Sequence, residues 1–250
     1  MLDVQLKDVV IVCIGGFRFT GNPDVGVKDL VGRLQTALED LGVPKNNIFH
    51  RSWNEGNDSD PGIPPQKGDI LKEIDKRSPN PSYLAIIGHS FGGWTACRVS
   101  RDTVRKPDYV GLIDPVFGTD NSMEPIDNPR AVKLRSWTQD NGIEFFGGPC
   151  FNLPVPCSSP RAGFACGYKD VEDAYVEDYQ AFDVEYKQNW DGSIAKHKCR
   201  WWEIDTRAVH TNMDENGKIR KLICDEIFDD IYKQVVAAEE LSVILSSLAK

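Results

Sequence analysis

The sequence contains no run approaching the roughly 18 apolar residues that a membrane-spanning helix needs. It is short of basic charge: 29 Lys and Arg face 38 Asp and Glu, a net charge of −9. That balance argues against a general nucleic-acid binder, which would need a basic face, so no nucleic-acid partner is expected. A Gly-x-Gly-x-x-Gly or Gly-Lys-Ser/Thr run is missing beside Gly15-Gly16, which argues against a phosphate cradle there. The seven cysteines fall at spacings that match no familiar zinc pattern, so neither a metal nor another cofactor is expected. Internal repeats are absent. The first residues carry acids and no apolar core of a secretory signal. On that ground a cytoplasmic location is favoured, with export by another route left open.

What is present reads as one α/β domain over residues 1–250. Residues 9–14 form a continuous β-branched run, as in a strand buried on both faces of a parallel sheet. Apolar residues at Val27, Leu30, Val31, Leu34, Leu38 and Leu41 recur at three and four, giving a helix over 24–41 that Gly42 stops. A weaker strand is expected at 47–53, a Gly- and Pro-rich loop at 54–67 and a short helix at 68–76. Further strands are read at 83–87, 109–113 and 131–138, with a last one at 200–204 before a mainly helical end over 219–248.

Residues 141–199 break this rhythm and are expected to be an insertion, lid-like, near the functional face. Their acidic, aromatic part, 170–190, either docks another protein or packs on its own domain as an amphipathic helix. Cys13, Cys97 and Cys224 sit in apolar patterns and read as core. Cys150, Cys157, Cys166 and Cys199 lie in or beside the loop-rich part and could form one or two disulfides.

The chemistry concentrates where the apolar run 83–87 meets Gly88-His-Ser-Phe-Gly92. Gly-x-Ser-x-Gly between a strand and a helix is a nucleophile elbow, a sharp turn that presents the Ser90 hydroxyl at the sheet's end. A serine hydroxyl needs a base, and the base needs a carboxylate to hold its tautomer. Of the four histidines, His50 lies inside a strand and His197 in a basic patch. His89 adjoins the nucleophile and points away from it, which leaves His210, after the last strand, as the base. Asp114, in Leu-Ile-Asp-Pro at a strand end, is the preferred acid, with Asp140 one strand later as its rival. The oxyanion donors expected of an elbow are the backbone N–H groups of Phe91 and Phe17. The Gly16 loop, Ser90, Asp114 and His210 all follow strands, where parallel sheets carry their functional loops.

Gly-Gly-Phe after the first strand, Gly-His-Ser-Phe-Gly, Leu-Ile-Asp-Pro and a late histidine resemble the α/β-hydrolase superfamily, in its lipase/esterase branch. The chain order Ser, Asp, His agrees with it. The resemblance spans about residues 9–116 and 201–250 and omits the insertion. It departs in two places: Gly-Gly-Phe stands where many lipases have His-Gly-Phe, and the chain starts almost at the central sheet. What the resemblance implies is a mostly parallel sheet flanked by helices, and a serine hydrolase acting on a small-molecule or lipid ester through an acyl-enzyme. Transient contact with a membrane surface is compatible with such a substrate. Thioesterase or peptidase action would use the same residues, and a catalytically silent binding protein would share the fold.

Overall fold

The computed structural model describes residues 5–16, 25–54, 68–141, 167–198, 204–205 and 207–248. Its centre is a six-stranded sheet: β1 (Val9–Gly15), β2 (Ile48–Ser52), β3 (Tyr83–His89), β4 (Tyr109–Ile113), β5 (Ala131–Thr138) and β6 (Val176–Asp183). The order is β2-β1-β3-β4-β5-β6, and every pairing is parallel. From β1 the chain moves outward to β2, then returns past β1 to build β3 through β6 on the other side. The direction therefore switches between β1 and β3. In open α/β sheets, the crevice outside the strand ends at such a point is where sites form.

Strand residues alternate between two apolar layers, which is why β1 and β3 read as unbroken apolar runs. Val9, Ile11, Cys13, Tyr83, Ala85 and Ile87 pack against α1 (Val25–Glu39) and α4 (Gly217–Leu248). Val10, Val12, Ile14, Leu84 and Ile86 pack against α2 (Gly68–Arg77) and α3 (Phe91–Asp102). Each fully buried Ile or Leu contributes about 1.5–3 kcal/mol, so these two layers dominate the sheet's stability. Helix α1 buries Val27, Leu30, Val31, Leu34 and Leu38, the face its periodicity implied. It ends where Gly42 takes a φ of 94°, a left-handed conformation that suits glycine and lets Val43 N–H bond back to the Leu38 carbonyl.

Two expectations need correcting. The strand expected at 200–204 lies outside the described residues except for Ile204, and among the described residues the sheet's sixth strand is elsewhere. It is β6, inside the segment read as an insertion and within the stretch offered as an amphipathic helix. Among the described residues strand β6 pairs only with β5, and its sequence, Val-Glu-Asp-Tyr-Gln-Ala-Phe-Asp, carries acids on the solvent side of an edge. An edge strand does not need an apolar run. It holds on through Phe182, whose ring stacks on the buried Trp137 at 5.4 Å. Ile204–Asp205 (β8) instead pairs antiparallel with His197–Lys198 (β7) in a separate two-stranded sheet. Cys13, Cys97 and Cys224 are buried free thiols. Cys150, Cys157, Cys166 and Cys199 lie outside the described residues. Among the described residues no helix is long and apolar enough to cross a membrane.

Candidate active site

At the end of β3 the chain turns into α3 with no intervening loop, and Ser90 takes up the turn at φ 58°, ψ −128°. A left-handed φ costs a non-glycine residue on the order of 1–3 kcal/mol, so the surroundings must hold it. They do so by backbone bonds on both sides. Ser90 N–H donates to the Ile113 carbonyl at 3.0 Å, and the Ser90 carbonyl accepts from Gly93 N–H at 2.9 Å and Val116 N–H at 3.1 Å.

The elbow glycines are there for space. A Cβ on Gly88 would sit 2.1 Å from the Gly92 carbonyl oxygen, and one on Gly92 would sit 2.3 Å from the Ile14 carbonyl oxygen. Gly16, past the end of β1, lies against Ser90 itself, where a Cβ would come within 2.6 Å of Ser90 Cβ. The β1 loop and the elbow thus meet at the switch point between β1 and β3.

The expected base, His210, arrives from the far end of the chain. His210 starts a short 3-10 turn, His210–Asn212, ahead of α4. Its Nε2 lies 2.8 Å from Ser90 Oγ, and its Nδ1 lies 2.7 Å from Asp114 Oδ2. A carboxylate only accepts, so Nδ1 carries the proton and the bare Nε2 accepts from the serine hydroxyl. Asp114 is wholly buried at the end of β4, with φ 47° and its N–H on the Trp137 carbonyl at 2.7 Å. Three residues from three strand ends and loops therefore form one hydrogen-bonded line, the arrangement that lets a hydroxyl lose its proton to an imidazole.

The other expected residues fall as follows. Asp140, the rival acid, does not reach His210: its side chain is 64% exposed and ion-pairs with Lys169. It loses because neighbours at a strand end face opposite ways, and the buried side there belongs to Gln139 and Asn141. Phe91 is the first residue of α3, whose first-turn amides point out of the helix's positive end beside Ser90. Phe17 lies outside the described residues. His50 is on β2 and His197 on β7.

Parallel β–α alternation, a strand–elbow–helix at the switch point and strand-end partners together define an architecture. The chain has an α/β-hydrolase fold. No protein-family model and no curated protein matches the sequence. Solved structures similar to it include a "putative hydrolase of the alpha/beta superfamily" from Xanthomonas campestris pv. campestris. That likeness has TM-score 0.43 and 11% identity, and covers 87% of this chain and 99% of the other. A "putative yden-like hydrolase" from Pectobacterium atrosepticum matches with TM-score 0.32 and 17% identity, over 54% of this chain and 65% of its own.

Several residues at the site escaped the sequence reading. His89 is turned from Ser90, as expected of its place, but its buried Nε2–H donates to the backbone carbonyl of His210 at 2.9 Å. Its ring centre lies 5.2 Å from that of His210. Gln139 Nε2–H donates to Asp114 Oδ2 at 3.0 Å. Gly167 packs on Asp114 so closely that a Cβ would fall 1.9 Å from Oδ1. A usable signal did exist for Gln139: the polar run Thr138-Gln-Asp-Asn141 closes a buried strand at the sheet's functional edge. Nothing local marks Gly167. Among the described residues no cluster of three or more His, Cys, Asp or Glu could hold a metal ion.

Proposed function

We propose that the protein is a serine hydrolase that cleaves a carboxylic ester, of a small molecule or a lipid, through an acyl-enzyme on Ser90. One observation carries this reading: Ser90 Oγ, His210 and Asp114 lie on one line of hydrogen bonds, 2.8 and 2.7 Å long, at the switch point of a parallel sheet.

In the proposed reaction Ser90 Oγ attacks the carbonyl carbon while its proton passes to His210 Nε2. Asp114 steadies the imidazolium that results and keeps Nδ1 protonated. The negative oxygen of the tetrahedral intermediate is assigned to the N–H groups of Phe91 and Phe17. Its collapse expels the alcohol, which takes the proton back from Nε2. A water then repeats the cycle on the acyl-enzyme and releases the acid, returning Ser90 Oγ–H and neutral His210.

Labelling with a fluorophosphonate probe tests this directly. Wild type is expected to be labelled, with Ser90→Ala and His210→Ala silent. On p-nitrophenyl esters of rising chain length, either substitution should lower kcat about a thousandfold or more. Faster turnover of matched thioesters or anilides would move the assignment to a thioesterase or peptidase. Folded wild type that neither takes the probe nor cleaves any of these substrates would leave a binding protein on a hydrolase fold.

A further inference from the structure

After β5 ends, Gln139 and Asn141 turn inward and are 1% and 9% exposed, while Asp140 between them faces solvent. Both amides can be oriented by their partners. Asn141 N–H donates to Gln139 Oε1 at 2.9 Å, and since a backbone N–H cannot accept, the other end of that amide must present its NH2 group. That group faces Asp114 Oδ2. Asn141 in turn directs Nδ2 at three carbonyls, Glu185 at 2.8 Å, Ala208 at 3.0 Å and Val184 at 3.2 Å, none of which can donate. Ala208 lies two residues before His210, and its own N–H bonds to the Glu185 carbonyl at 3.1 Å.

We infer that Gln139 and Asn141 form a buried amide relay that orients Asp114 and fixes it relative to the loop bearing His210, making both positioning residues. The inference rests on the reading of Ser90, His210 and Asp114 as a triad. Asp114 Oδ2 takes two donors, Nδ1–H of His210 and the Gln139 amide. Among the described residues Oδ1 takes none and abuts the backbone of Gly167. The carboxylate is thus pulled from one side and blocked on the other, with one rotation left. A neutral donor suits the task. A lysine or arginine there would neutralise Asp114 and weaken its hold on the imidazolium. A second carboxylate would repel it.

The test is Gln139→Met, which keeps length and apolar volume and removes the donor. Two readings are taken: the His210 Cε1–H titration by NMR, assigned against His210→Ala, and steady-state ester hydrolysis. Among the described residues the titratable groups in contact with His210 are Asp114 and His89, and neither is altered. With one donor gone, the charge on Oδ2 is shared less and stabilises the imidazolium more, so the His210 midpoint should rise above the wild-type value. Loss of orientation should lower kcat by about 10- to 100-fold, with KM held within about threefold. An unchanged midpoint together with an unchanged kcat would overturn the relay. Should Gln139→Met not fold, Asn141→Ser cuts the relay at its other end. A lower kcat at constant KM is then expected, and a wild-type kcat would overturn the inference. If the wild type proves inactive, the function proposed above falls, yet the titration still decides the relay, because it reads only the His210–Asp114 pair.

Discussion

Space around single backbone atoms decides much at the scale of the residue. Ser90 and Asp114, the two hydrogen-bond partners of the His210 ring, both hold left-handed torsions, at φ 58° and 47°. Their neighbours are glycines where a Cβ would strike something rigid. At Gly88 the obstacle is a backbone carbonyl in the adjoining helix, which cannot swing aside as a flexible side chain can. Gly32, in the exposed middle of α1, has nothing within 4 Å of its would-be Cβ. The same substitution should therefore have opposite signs at the two positions. Gly88→Ala is expected to destabilise by about 3 kcal/mol, the upper end for overpacking. Gly32→Ala should stabilise by about 0.5–1 kcal/mol through its helix propensity. Urea midpoints of the two variants check this, and equal shifts would show that the contact at Gly88 relaxes.

At the scale of the element, charge ties the edge of the sheet to its last helix. Arg135 on β5 is 4% exposed in its side chain and bonds Asp178 of β6 at 2.8 Å and Glu226 of α4 at 3.0 Å. Its hydrogen bond holds the Asp178 carboxyl below the usual carboxylate range. One turn along α4, Asp230 takes both Lys133 of β5, at 2.8 Å, and the hydroxyl of Tyr83 of β3, at 3.3 Å. Arg135→Met would fill the space but leave Glu226, 28% exposed, without its cation. Breaking a buried pair from one side costs about 3–5 kcal/mol, and the partial exposure of Glu226 places this one near 3 kcal/mol. Denaturant unfolding measures it. A loss below about 1 kcal/mol would mean that water screens Glu226 well enough to make the pair dispensable.

Across the whole molecule the buried acids set an alkaline limit. Burial pushes the Cys13 and Cys97 thiols up, and Cys224 up to about 12 from 9.0. Burial likewise raises the Tyr83 and Tyr109 phenols above 10.0, helped by the nearby carboxylates Asp230 and Glu226 respectively. In each case the folded chain holds its proton to higher pH than the unfolded chain does. Their contribution is fully present below the unfolded values of 9.0 and 10.0 and is lost as the pH rises beyond them. The urea midpoint should accordingly fall steadily between pH 8.5 and about 11. The three thiols should stay unreactive toward a disulfide reagent at pH 8 until the chain unfolds. A flat midpoint over that range would show that these side chains reach water in the folded state.

The sequence by itself determined the β–α order as far as β5, the two-faced burial of β1 and β3, the buried face of α1, and the elbow at Ser90. All of these follow from periodicity, glycine placement and strand-to-helix spacing, which are local. It also nominated Asp114 and His210 from their places at strand ends. The tertiary structure alone decided the rest. It brought Asp114 rather than Asp140 to His210, put β6 on the edge, turned His89 onto the His210 backbone, and set Gln139 and Asn141 beneath the site. The physical reason is sequence distance. Ser90 and His210 are 120 residues apart, Asp114 and His210 are 96 apart, and Gln139 reaches Asp114 across 25. Local pattern records which side of an element is buried. Which hydrogen-bond partner waits on that side is settled only when the strand ends pack together.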